Sequence, residues 1–171
     1  MNSSAGRPPL GTLLRHVHEL TDSAIAEVYA EHGMPEYRPR FSPIVRALVS
    51  AGQMSIRGLA ATIGVTHSAA SQTVAQMRRR GFVTLEPGSD ARQRIVRLTA
   101  KARSALPVIE AEWRATEAAV AELDAELPMP LAELLTATVQ ALARRGFRDR
   151  VAEAGLRAGD VRAGGSPENV S

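Results

Sequence analysis

MSIRGLAATIGVTHSAASQTVAQMRRRGFVTLEPGSDARQRIVRLTAK, residues 54–101, reads as two short helices joined by a tight turn and followed by a two-stranded hairpin. Ser55 stands where an N-cap is needed, and Ile56, Leu59, Ala60 and Ile63 recur at helical spacing behind it. Gly64 permits the turn and Thr66 caps the second helix. On that helix Ala70, Val74 and Met77 fall at i, i+4 and i+7 and so form one inward stripe. Ser68 and Gln72 point the other way, with His67, Ser71 and Gln76 on the flanks and Ala69 offering a small surface. Arg78, Arg79 and Arg80 close the helix, and Gly81 stops it. Val83 and Leu85 then alternate as one strand, while Ile95, Val96 and Leu98 form the return strand. Pro87, Gly88, Ser89 and Asp90 supply the turn between them.

The chemistry of this arrangement suits a nucleic-acid groove. Gln72 and Gln76 carry amides able to pair with an adenine edge, and Ser68, Ser71 and His67 can donate to bases or phosphates. Ala69 leaves room for a thymine methyl. Arg92 and Arg94, with Arg97 behind them, stand at or near the hairpin tip, where an arginine can enter a narrow minor groove. Between Arg78 and Arg103 eight basic residues face two acidic ones, whereas from Glu110 to Glu133 seven acids face one arginine. The formal net charge of the whole chain is only +3, so its basicity is concentrated in this segment, as a polyanion-binding face requires. The expected fold is therefore mainly α with a small β-hairpin wing, a winged helix-turn-helix. Its expected partner is double-stranded DNA. The predicted DNA-binding residues are Ser55, Thr66, His67, Ser68, Ala69, Ser71, Gln72, Gln76, Arg78, Arg92 and Arg94.

The run Asp90-Ala91-Arg92, then five residues to Leu98-Thr99, resembles the D-x-R-x5-L-T wing signature of the MarR family of bacterial transcription regulators. The preceding stretch from Val65 to Val83 is similar to that family's recognition helix and its closing basic-Gly-apolar-Val element. Ala102 occupies the position where the family signature carries glycine, a departure that bears on the next helix and not on DNA contact. The resemblance runs from about Thr12 to about Val151, with its specific motifs confined to Met54 through Lys101.

It implies a homodimer whose N- and C-terminal helices interlock, each subunit presenting one winged module to a half-site. The residues supply matching parts. Leu13, Leu14, Val17, Leu20, Ala24 and Val28 form an apolar stripe on a long first helix that Gly33 and Pro35 end. Ser42, as N-cap, and Pro43 start a short helix running to Gly52. Thr99 caps a helix through Val108, Ile109, Trp113, Val120 and Leu123, which Pro107 must kink or divide. A last helix runs from Leu131 to Val151. Such stripes exceed what one winged module can cover and call for a second chain. A dimer of this kind holds two recognition helices about 34 Å apart on a pseudopalindromic operator. The family further implies a small-molecule effector, and a repressor that responds to it, with His16, Tyr29, Tyr37, Arg40 and Trp113 as candidate pocket residues.

The remaining features set bounds. At 171 residues the chain makes one domain of ordinary size, expected over 12–154. The winged module lies at about 41–101, with dimerisation helices at about 12–33 and 99–154. The ends, 1–11 and 155–171, are rich in Gly, Pro and Ser and read as disordered arms. The absence of cysteine excludes disulfides, thiolate metal sites and the cysteine-based peroxide sensing that some family members use. His16, His18, His32 and His67 show no metal-ligand spacing, and no phosphate loop or nucleophile turn is present, so neither metal, cofactor nor enzymatic activity is expected. No apolar run is long enough to span a membrane and MNSSAGRPPLG lacks the build of a signal peptide, which points to the cytoplasm. The alternative function is a winged-helix protein-interaction module with no operator of its own, docking an acidic partner on the same basic face.

Overall fold

The computed structural model describes residues 8–88 and 93–155. Ser89 to Arg92, which hold the Asp90 and Arg92 of the wing signature, lie outside the described residues, as do most of both expected arms. The chain divides into two compact units, Met1–Thr116 and Glu117–Ser171.

The first unit begins with α1 (Leu10–Glu31), two residues before the expected start of the first helix at 12. A 3-10 turn (Pro39–Phe41) leads into α2 (Ser42–Ala51), so Ser42 is already helical and Phe41 holds the cap position. The Ser42 hydroxyl lies 3.3 Å from the Tyr37 hydroxyl instead of capping the helix. Next come β1 (Gln53–Ser55), α3 (Ile56–Ile63), α4 (His67–Arg79), β2 (Val83–Pro87) and β3 (Arg94–Leu98). The sheet is antiparallel in the order β1-β3-β2, with Val83 opposite Leu98, Leu85 opposite Val96 and Met54 opposite Val96 on the other edge. The expected hairpin is thus a three-stranded sheet. β1 is the addition: three residues that pair only because β3 offers an open edge beside them.

The core gathers Tyr29 of α1, Tyr37, Phe41, Leu48 of α2, Leu59 of α3, Val74 and Met77 of α4, Phe82 and Val96, all buried. Four of these are aromatic rings in mutual contact, with centroids 4.4 Å apart for Tyr29 and Tyr37, 5.6 Å for Tyr37 and Phe41, and 5.3 Å for Tyr37 and Phe82. Each such pair adds about 0.5–1.5 kcal/mol beyond area burial. Because Phe82 sits three residues after α4 and Tyr29 near the end of α1, the cluster fixes where the end of α4 lies against the rest of its unit.

α5 (Ala100–Glu126) runs unbroken past Pro107 and across the unit boundary. Thr99 starts it: its Oγ1 accepts from the Ala102 N–H at 3.1 Å and donates to the Gly81 carbonyl at 2.7 Å. In the second unit α6 (Leu131–Arg144) and α7 (Phe147–Glu153) replace the single last helix expected. The break falls at Arg145, in extended conformation, and Gly146. Arg150 bridges it, donating to the Arg145 carbonyl at 3.2 Å and to the Ala141 carbonyl at 3.1 Å, which also accepts from the Arg145 N–H. No residue of α6 or α7 is buried.

Candidate nucleic-acid interface

The geometry of α4 follows from its ends. Gly64 adopts φ +70° and ψ +32°, a left-handed conformation that glycine takes without steric cost, and this ends α3 two residues before the Thr66 cap. The Thr66 hydroxyl accepts from the Ala69 N–H at 3.2 Å, and the Ser55 hydroxyl accepts from Gly58 at 3.0 Å to start α3. Gly81, at φ +77°, turns the chain from α4 into β2. Between these stops Ala70, Val74 and Met77 are buried, as their spacing predicts. Thr66, His67, Ser68, Ala69 and Gln72 are exposed on the opposite face, with Ser71 and Gln76 half-buried at its edges and Arg78 exposed near its end.

One cleft of about 490 Å³ collects several of these groups. Ser55, Arg57, His67, Ser71, Gln93 and Arg94 line it, so the start of α3, the first turns of α4 and the base of the wing converge on a single concave surface. Arg57 and Gln93 are absent from the sequence-predicted set. Arg57 was legible as the polar residue between the inward Ile56 and Leu59, but nothing in its own helix shows that a wing lies opposite it.

Gln76 does not stand free for a base. Its side-chain oxygen accepts a hydrogen bond from Arg40, which therefore sits beside the flank of α4 and not in a ligand pocket. Arg40 belongs to a cluster of cations with Arg38, Arg79 and Arg80. The Arg80 guanidinium lies below the usual arginine range, first through loss of water and then through repulsion by Arg38, Arg40 and Arg79. It donates to the Glu36 carbonyl at 3.0 Å and lies over the Phe41 ring. Lys101 donates to the Glu36 carboxylate at 2.5 Å and holds that carboxyl below its ordinary range. Arg97 is engaged within the sheet by Glu86 at 3.1 Å, whereas Arg94 is exposed where β3 begins.

Of the five expected pocket residues, Tyr29 and Tyr37 are in ring contact and the other three occupy separate surroundings. Tyr29 and Tyr37 are fully buried in the core, where their bulk serves packing. His16 is exposed on α1. Trp113 is half-buried beneath the Arg46 guanidinium, 4.3 Å from its ring centroid, with its indole N–H buried and unpartnered among the described residues. A cavity of about 390 Å³ does exist between α1 and α5, but other side chains line it, among them Val28, His32, Val108 and Glu112. Among the described residues no three His, Asp or Glu side chains converge as a metal site, and no helix is long and apolar enough to cross a membrane.

Residues 42–93, which span α2, α3, α4 and the start of the wing, match the family model of MarR. Over that stretch the chain resembles the MarR family. Solved structures of similar fold include the transcriptional regulator MOSR of M. tuberculosis in complex with DNA. It is 24% identical with a TM-score of 0.60, over 86% of this chain and 98% of that one. A cysteine-to-serine mutant of MarR from E. coli complexed with operator DNA is 18% identical with a TM-score of 0.59, over 78% and 94%. BldR from Sulfolobus solfataricus is 21% identical with a TM-score of 0.54, over 79% and 93%. No curated protein matches the chain. At these identities the MarR-like neighbours establish the winged fold, and the function must be argued from the residues.

Proposed function

We propose that this chain is a sequence-specific, double-stranded DNA-binding transcriptional regulator of the MarR type, a ligand-responsive repressor that binds a pseudopalindromic operator as a cytoplasmic homodimer and catalyses no reaction. The observation that carries this reading is the shared cleft. His67, exposed, and Ser71, half-buried, on α4 stand beside Arg57 of α3 and Arg94 of the wing, so one surface offers base-reading and phosphate-binding groups together. MOSR and E. coli MarR, which share the fold, were each solved with DNA, and this supports the assignment. The homodimer is supported by apolar side chains left exposed on α1 (Leu13, Leu14, Val17, Leu20) and on α6 (Leu134, Leu135, Val139), more than a free surface would carry.

A gel shift with the DNA upstream of the chain's own coding region, at two salt concentrations, tests the reading. Retention of that duplex over a scrambled one, weakening steeply as salt rises, is the expected result. Equal retention of both duplexes, or of neither, would favour a winged-helix module that docks an acidic protein instead.

A further inference from the structure

Glu112 is the one charged side chain buried among the described residues, at 7% exposure, and its surroundings are unusual for a carboxylate. Its two oxygens accept from the Tyr29 hydroxyl at 2.5 Å and from the Thr116 hydroxyl at 2.5 Å, both neutral donors. Glu112 also borders the cavity of about 390 Å³ between α1 and α5, whose remaining lining is nearly all apolar. The cavity has a sequence cause. Pro107, Ala111 and Ala115 recur every four residues and form one ridge of α5, and the two alanines contribute no bulk to fill the space against Val28 of α1. Val108 and Glu112 form the adjacent ridge. The other titratable group at the cavity is His32, which is exposed, with Nδ1 2.8 Å from the Val28 carbonyl.

A buried carboxylate with only hydroxyl partners contributes little to stability, since the desolvation of a charge is repaid fully only by an opposite charge. A glutamine at this position would avoid that cost, its oxygen accepting from one hydroxyl and its amide nitrogen donating to the other. We propose that the α1–α5 cavity is a binding site for a small apolar molecule bearing a protonated amine, with Glu112 as its counter-charge. The apolar walls take the hydrocarbon portion and the carboxylate selects the cation. Val28, Tyr29 and Glu112 couple α1 to α5 through this site, so an occupant bears directly on how those helices meet. That regulatory consequence rests on the DNA-binding reading above, whereas the binding itself does not.

Isothermal titration calorimetry of the full chain at neutral pH, with naphthylmethylamine, naphthylmethanol and naphthoate as probes, tests the site without DNA. These share a ring system that the cavity accommodates and differ in charge. The amine is expected to bind about tenfold more tightly than the alcohol, the difference a charge-assisted hydrogen bond makes, and naphthoate more weakly than either. Glu112→Gln should bring the amine down to the affinity of the alcohol. Ala115→Phe, a substitution at an exposed position that fills the cavity and leaves Glu112 in place, should abolish binding of both while circular dichroism stays unchanged, and it keeps the test valid if Glu112→Gln does not fold. Equal affinities for amine and alcohol, tightest binding of naphthoate, an amine affinity unchanged by either substitution, or no binding of any probe would overturn the proposal. A chain that binds the amine yet fails to shift operator DNA would instead count against the regulator.

Discussion

Gln72 and Gln76 are the same residue type on the same helix, four positions apart, yet they stand in different circumstances. Gln72 is exposed, with no side-chain partner among the described residues, while Gln76 is held by Arg40. Under the proposed function, Gln72 is therefore the better placed of the two to read a base. Gln72→Ala is expected to cost about 1–3 kcal/mol of operator affinity and to relax preference at one base pair, measured by fluorescence anisotropy on operator variants. An equal loss on random DNA would contradict the role. Arg57→Ala should behave oppositely, weakening binding on all sequences alike and reducing the slope of log affinity against log salt by about 1. Helical periodicity was enough to sort inward from outward positions on α4, because Ala70, Val74 and Met77 needed only their spacing to declare themselves. It could not reveal Arg40, whose partner lies 36 residues away in sequence. Nor could it separate the aromatic pocket candidates from core, since Tyr29 and Tyr37 carry the same polar tip in either setting.

At the level of elements, local capping signals were the legible part. Ser55, Thr66 and Thr99 each accept the backbone N–H that their positions predict. β1 went unread because three residues carry no period, and its existence depends on the open edge of β3. The division between α6 and α7 was signalled only by Gly146, inside a run whose apolar spacing continues across the break. Pro107 removes one donor from a helix long enough on both sides to persist without it, which is why α5 is not divided. The element that positions α4 is the aromatic cluster at its end. Phe82→Ala should destabilise the chain by about 3–5 kcal/mol in urea unfolding, the cost of a large buried ring and the cavity it leaves. A loss below about 1 kcal/mol would mean that α4 is held by other contacts.

For the molecule as a whole, the exposed apolar stripes bear on the proposed dimer and the buried phenols on stability. Val139, 67% exposed in the middle of α6, is suited to a subunit interface and not to solvent. Val139→Glu is expected to convert a dimer to a monomer in sedimentation velocity and to weaken operator binding with it; a wild-type chain that sediments as a monomer would remove the dimer from the account. Tyr29 and Tyr37 are both pushed above the ordinary value of 10.0, chiefly by burial, and for Tyr29 next by its bond to Glu112. Unfolded phenols release their protons near pH 10.0 while the folded ones keep theirs, so stability is at its full value below that pH and falls as pH rises above it. The urea midpoint should hold to pH about 9 and be lower at about 10.5, with a smaller drop in Tyr29→Phe. The apolar stripes that suggest a dimer are legible in the sequence, but the α1–α5 cavity is not, because Ala111 and Ala115 of α5 face a Val28 that lies far away along the chain.

The central claim is that α4 and the wing engage adjacent grooves of one duplex. Methylation protection on the retained upstream DNA tests it most directly, because dimethyl sulfate reports guanine N7 in the major groove and adenine N3 in the minor groove. The account predicts protection of both, neighbouring within each half-site, with half-site centres about 10 base pairs apart. Protection confined to one groove, or retention of DNA with no protected base in either, would contradict it.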